Sequence, residues 1–505
     1  MTLNIAEIPA AYLLAGVAAL ASTAIIVRSI RSSSQPKLPG PKGLPFVGAL
    51  LDFQPYRDNY QTNVYFCKVV EEYGPICEIP LFGAQLIFTC DAATTKLILN
   101  TPAQFGRDDT LVPSFAGFSK NSLFLLPTYN GDAVWKRHRK FLQPAFSPTH
   151  LKHAFEVSLV AAQHVDAVIR SYTAKAEPVN VFNLFQKFTI DVIGQVAFSQ
   201  SFNSVLAEID EGAKNPKLDH VIHLIHDMLD IIRKRINNPV GFLWGIYGYG
   251  HADSQKIGAP IRDFVNDLIA LKVETLKSSS PKDEKDMDVL DRLLVDQGTE
   301  DERFNNEEII DEVFGFFMAG HETTANAITW TLFCLSERPD ICDKIRTELD
   351  QVLGSDRPFA WEDLPLLKYL EACIKEALRL HPVAALLARM SMQDVTVLGY
   401  RFPKHKLFFV EIEALHRSER YWKNPKEYRP ERFLEDEIIP GSYLPFGDGQ
   451  HNCIGQKLAM IEIKVAVATI LRSFSFTRTP NQQIVPASIL TLGLKHGLLL
   501  DFKQH

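Results

Sequence analysis

Cys453 lies in Phe446-Gly447-Asp448-Gly449-Gln450-His451-Asn452-Cys453-Ile454-Gly455, where three glycines describe a tight loop just ahead of a helix. The free N–H groups and positive dipole end of a helix start favour a thiolate over a thiol. A lone thiolate held in this way suits the axial position on a haem iron, where it favours O–O cleavage. A buried structural cysteine in a glycine-rich turn is the plainer reading. Ala319-Gly320-His321-Glu322-Thr323-Thr324 interrupts an apolar run with small and polar residues. Gly320 costs helix stability and lets a ligand approach the backbone. The Glu322 acid and Thr323 hydroxyl together supply protons to a bound oxygen species in a pocket that excludes water. A kinked helix with hydroxyls bonded one turn back is the alternative. Glu376 and Arg379 stand at i, i+3, and Trp135 and Arg139 at i, i+4, each pair on one helical face. The first spacing also fits a solvated surface ion pair. In the second, an indole N–H and a guanidinium both suit a carboxylate.

These groups need long helices to hold them. Asn305 and Glu308 have capping-box spacing, and an apolar-rich stretch then runs to about Leu335 before Pro339. About 30 helical residues span about 45 Å, enough to cross a domain. Most of the chain beyond residue 45 reads as helix, with β-rich pieces near residues 77–89, 396–402 and 489–502. Residues 276–284 and 299–303 read as solvated loops. Three prolines and two glycines in residues 37–45 make a stiff, extended connector. Residues 10–27 form an uncharged run of 18 residues, about 27 Å as a helix. Arg28, Arg31, Lys37 and Lys42 follow it and no lysine or arginine precedes it, so the rest of the chain is expected on the cytoplasmic side of a signal anchor. Residues 237–247 are a hydrophobic, loop-like stretch that is either internal packing or a segment dipping into the bilayer.

Composition narrows the class. Of 505 residues, 46% are hydrophobic and 22% charged, as in a globular protein, and the net charge of -7 argues against a nucleic-acid partner. Seven scattered cysteines with no CxxC pair read as neither a disulfide framework nor a zinc site, and fit a reducing compartment.

The Cys453 loop, residues 319–324, Glu376 and Arg379, Pro430-Glu431-Arg432-Phe433 and Trp135-Lys136-Arg137-His138-Arg139 occur in the order found in the cytochromes P450, and the chain resembles that family's eukaryotic microsomal type over nearly its whole length. The resemblance implies a mainly α fold with a minor β region: an N-terminal anchor with flanks (1–31), a proline-rich hinge (32–45) and one large catalytic domain (46–505). It implies haem b with Cys453 as axial thiolate and metal ligand, in a loop shaped by Phe446, Gly449 and Gly455. Trp135, Arg139 and Arg389 then contact the haem propionates. His451 stands where most members carry arginine. Glu376, Arg379 and Arg432 become a buried structural triad, and Gly320, Glu322 and Thr323 the oxygen-activating residues. Phe115, Phe118, Phe124, Phe314, Phe317, Met318, Ala385, Leu386 and Leu494 are expected to line an apolar substrate pocket.

The function so implied is a monooxygenase placing one atom of O2 into a lipophilic steroid, fatty acid, terpenoid or xenobiotic at the endoplasmic reticulum membrane. The chain runs 52 residues past Cys453, so electrons from NADPH are expected through a separate NADPH–cytochrome P450 reductase, with cytochrome b5 as a second donor. The basic residues Lys136, Arg137, Lys140 and Lys457 are either its docking face or a solvated surface. The rival readings are a P450-type isomerase or dehydratase working without O2, and a membrane-tethered haem-binding protein without turnover.

Overall fold

The structure, a computed structural model, describes residues 37–44, 47–81, 84–236, 251–280, 282–295, 303–354, 357–488 and 490–505. The expected span at 10–27 and the stretch at 237–247 lie outside the described residues. Among those described, no helix is long and apolar enough to cross a membrane.

The helices that bear on the site are α1 (Thr62–Tyr73), α2 (Ala133–Leu142), α3 (Pro148–Ala174), α4 (Val181–Phe198), α5 (His251–Ser278), α6 (Asn306–Ser336), α7 (Lys368–Leu380), α8 (Ile412–His416) and α9 (Gln456–Ser473). α6 starts where its sequence says. Asn305 Oδ1 accepts from the Glu308 N–H, and Glu308 Oε2 from the Asn305 N–H, both at 3.0 Å. Its 31 residues run through the main core, packed on α4, α7 and α9. α5 reaches further than the expected loop at 276: the Ser278 hydroxyl bonds the carbonyls of Glu274 and Thr275, satisfying the last turn.

Five strands form a sheet in the order β1 (Ile76–Leu81), β2 (Ala84–Thr89), β8 (Leu407–Glu411), β5 (Leu386–Ser391), β3 (Phe105–Gly106). The remaining strands are β4 (Val179–Asn180), β6 (Val395–Val397), β7 (Tyr400–Phe402), β9 (Phe474–Arg478), β10 (Pro486–Ser488), β11 (Leu492–Leu494) and β12 (Leu499–Gln504). They form two small hairpins, β6–β7 and β10–β11, and one three-stranded sheet, β4–β12–β9. The fold is thus mainly α with a minor β region. The proline-rich segment is not a free tether over its described part. The Glu78 N–H of β1 donates to the Pro39 carbonyl at 2.9 Å. A Cβ on Gly40 would sit 2.0 Å from the Glu78 carbonyl oxygen, so only glycine allows that approach.

Candidate active site

Two backbone positions shape the cysteine loop. Gly447 and Gly449 adopt φ of +72° and +69°, where side chains are strained. A Cβ on Gly449 would also lie 2.3 Å from the Leu99 carbonyl oxygen. The Cys453 N–H donates to the Phe446 carbonyl at 2.9 Å. Arg139 reaches across from α2 and donates to both the carbonyl and the side-chain oxygen of Asn452, at 3.0 Å each. Gly455 caps α9, and a Cβ there would come within 4.0 Å of the Cys453 sulfur. Cys453 is exposed and lines a cavity. Burial pushes the thiol up, and the Gly455 and Gln456 N–H groups and the Arg139 guanidinium only partly offset it. A bound cation is what would complete the deprotonation.

The cavity measures about 340 Å³ and is lined by Cys453, Ile454, Asn452, His451, Trp135, Arg139, Arg389 and Leu386, together with Arg107, Asp108 and residues of α6. Arg107 was not anticipated, though the sheet accounts for it. β3 pairs antiparallel with β5, Phe105 opposite Ser391 and Gly106 opposite Met390. Continuing that register by one residue brings Arg107 opposite Arg389. Burial and the facing Arg389 push the Arg107 guanidinium down to about 9, and burial pushes Arg389 down to about 10. The Trp135 ring lies 4.3 Å from the His451 ring. His451 Nε2 is buried and has no partner. Burial and the three arginines push this imidazole down to about 3, so it is neutral.

α6 presents Glu312, Gly315, Phe316 and Ala319 to the cavity. These positions lie 11, 8, 7 and 4 residues before Thr323, on one helical face. The Thr323 hydroxyl donates to the Ala319 carbonyl at 2.7 Å. The Glu322 carboxylate points elsewhere, since adjacent helical residues do not face each other. It accepts from the Thr491 hydroxyl at 2.6 Å, and burial pushes its pKa up. Gly320 needs a different explanation from the expected one. A Cβ there would lie 2.7 Å from Cγ1 of Ile193, so this glycine serves the packing of α6 on α4 rather than the approach of a ligand. Glu312 is a buried carboxylate that sequence reasoning missed, its Oε1 held 2.6 Å from His138 Nδ1.

Of the expected pocket residues, Phe124 and Leu386 line this cavity; Phe115, Phe118, Phe314, Phe317, Met318, Ala385 and Leu494 do not. Phe118 and Phe314 line a second cavity of about 420 Å³ against α5. Phe317 packs on Phe202 and Phe264. Phe115 is buried edge-on to Phe124, and Met318, Ala385 and Leu494 are core. On α6 the cavity-facing residues are Phe316 and Ala319 rather than their neighbours Phe314, Phe317 and Met318. Arg137 is also no free cation: it pairs with Glu308 and covers the Phe304 ring.

Glu376, Arg379 and Arg432 meet with 0%, 0% and 1% side-chain exposure. Arg379 donates to both Glu376 oxygens at 2.7 and 2.9 Å, and Arg432 Nε to Oε1 at 2.9 Å. The cluster reaches the cysteine loop through α8. Arg379 donates to the His416 carbonyl at 2.7 Å, and His416 Nε2 accepts from the Leu444 N–H at 2.8 Å, two residues before Phe446.

A model of the cytochrome P450 family matches residues 38–499. The chain belongs to the cytochrome P450 family. It is 31% identical to cytochrome P450 4d2 of Drosophila melanogaster over 86% of this chain and 88% of that one. It is 31% identical to human cytochrome P450 4V2 over 86% and 83%, and 28% identical to human cytochrome P450 3A5 over 90% and 88%. It is accordingly a P450 monooxygenase, an enzyme whose cofactor is haem with a cysteine thiolate ligand. The cavity of this P450 fits that group. A haem brings two carboxylates, and the wall offers three guanidinium groups, an indole and the unpartnered His451 Nε2.

Proposed function

We propose that Cys453 ligates the haem iron and that Arg107, Arg139, Arg389, Trp135 and His451 hold the haem carboxylates. The enzyme then hydroxylates a lipophilic small molecule of the steroid, fatty acid, terpenoid or xenobiotic classes. The observation that carries this reading is one cavity bringing together a single cysteine sulfur, three guanidinium groups and an apolar wall. When bound, the haem supplies activation of O2.

The remaining work falls to side chains. Arg139 fixes the residue before the sulfur. His451, neutral beside three arginines, offers one N–H where arginine would add a fourth cation. Thr323 holds a proton against the carbonyl of Ala319, which lines the cavity. Glu322, its pKa raised by burial, keeps its proton to higher pH than an exposed glutamate, beside the Thr491 hydroxyl. Leu111, Leu123, Phe124, Phe316 and Leu386 exclude water and select for apolar surface. Electrons from NADPH arrive through a separate reductase, with cytochrome b5 as second donor, at the surface carrying Lys136 and Lys457. The residue 10–27 run supports a single-pass anchor in the endoplasmic reticulum membrane. The acid–alcohol pair Glu322 and Thr323 weighs against an isomerase working without O2.

The test is reconstitution with NADPH, an NADPH–P450 reductase and a panel of lipids. Wild type is expected to give oxygenated product. Thr323→Ala is expected to keep consuming NADPH while product per NADPH falls at least about tenfold. Unchanged coupling in Thr323→Ala would sink the proton role. No product from any lipid, despite full haem content, would sink the monooxygenation of lipids and favour a haem-binding protein without turnover.

A further inference from the structure

A second cluster of ligand atoms lies outside the haem cavity, where α1 meets the end of β8 and the start of α8. Cys67 of α1, Glu411 at the end of β8 and Glu413 of α8 each bring one sulfur or oxygen atom within 4.8 Å of the others. Glu411 and Glu413 are buried, and Cys67 is half-buried, so it forms the open side. The Cys67 thiol donates to Glu411 Oε1 at 3.4 Å. Asn63, one turn before Cys67, donates from Nδ2 to Glu413 Oε2 at 2.7 Å, and Arg417 pairs with Glu413 Oε1 at 2.7 Å.

Two oxygens are left over. Glu411 is 0% exposed, and its Oε2 has no hydrogen-bond partner; Asn63 is 5% exposed, and its Oδ1 has none either. An unpartnered buried oxygen costs on the order of 1–3 kcal/mol, more when it is charged. The Glu411 oxygen, beside the Cys67 thiol, is a place for an absent positive partner.

We propose that Cys67, Glu411 and Glu413 bind one divalent cation of the zinc type. A thiolate with carboxylate oxygens is a zinc donor set, whereas magnesium and calcium take oxygen alone. Deprotonated, the three ligands carry three negative charges, and Arg417 offsets one, leaving the charge that one dication neutralises. Binding displaces the Cys67 thiol proton, now donated to Glu411, to solvent, with no change of oxidation state. Asn63 and Arg417 hold the Glu413 carboxylate from outside and so fix its orientation toward the ion. The bound ion ties α1 to the β8–α8 junction. That junction leads to His416, which grips the cysteine loop through Leu444. The site therefore braces the support of the haem pocket rather than its chemistry.

The test uses the haem-loaded full chain, stripped with chelator and re-equilibrated with zinc, read by elemental analysis and by peptide mapping of Cys67 alkylation with iodoacetamide. About one zinc per haem is expected in wild type, lost in Cys67→Ser and in the near-isosteric Glu411→Gln. Zinc is expected to slow Cys67 alkylation at least tenfold. Full haem content without zinc would overturn the site. So would zinc retained unchanged in either variant, or alkylation indifferent to zinc. The wild-type alkylation measurement decides the matter even if both variants fail to fold.

Discussion

Glu376 is fully buried between two guanidinium groups, so its removal strands two charges that have no route to water. Breaking such a cluster costs about 3–5 kcal/mol. Glu376→Ala and Arg432→Ala are therefore expected to lower stability by that amount and to reduce haem content in purified protein, read by denaturant titration and haem-to-protein ratio. Arg107 and Arg389 make a contrasting case. They crowd each other in the cavity, and burial makes both charges unwelcome. Replacing one with leucine is expected to leave the haem-free chain as stable as before or more so, yet to speed haem loss at least tenfold to a haem acceptor protein. Equal haem retention in Arg107→Leu would remove it from the carboxylate site.

At the scale of elements, the packing of α6 on α4 decides which side chains reach the cavity. Gly320→Val is expected to cost about 1–3 kcal/mol by pressing on Ile193. Ile193→Ala in the same chain is expected to recover part of it in a double-mutant cycle; a purely additive result would show that the two do not touch. The sequence was most legible where chemistry demands a residue type at a fixed spacing. The cysteine loop, the acid–arginine pair and the capping box at Asn305 lie where those spacings place them. It was least legible where one element meets another. Arg107 faces Arg389 only through the register of β3 on β5, two strands far apart in the chain. The cavity face of α6 was within reach. Counting back from Thr323 by 4, 7, 8 and 11 finds Ala319, Phe316, Gly315 and Glu312, whereas nearness to the motif chose Phe314, Phe317 and Met318. The role of Gly320 was hidden, because a glycine that admits a ligand and one that admits a neighbouring helix read alike.

Across the whole molecule, buried neutral histidines set the acid limit of the fold. Burial and nearby arginines push His416 down to about 3, and burial pushes His321 down to about 4. The unfolded chain therefore takes up these protons first. Stability is complete above about pH 6.5 and falls as pH drops from there toward 3–4, by at most about 1.4 kcal/mol per pH unit for each histidine. Protonating His416 also sets an N–H against the Leu444 N–H that it now accepts, loosening the cysteine loop. Thermal unfolding between pH 5 and 7 is expected to show this slope, and His416→Gln to flatten it; an unchanged slope would place the acid sensitivity elsewhere. The identity of the iron ligand is the claim on which the account turns. Carbon monoxide difference spectroscopy of the reduced protein reads it directly. Wild type is expected to give the strongly red-shifted Soret band of a thiolate-ligated haem, and Cys453→Ser to lose it. A wild type that binds haem without that band, or a Cys453→Ser variant that keeps it, would contradict the assignment of Cys453.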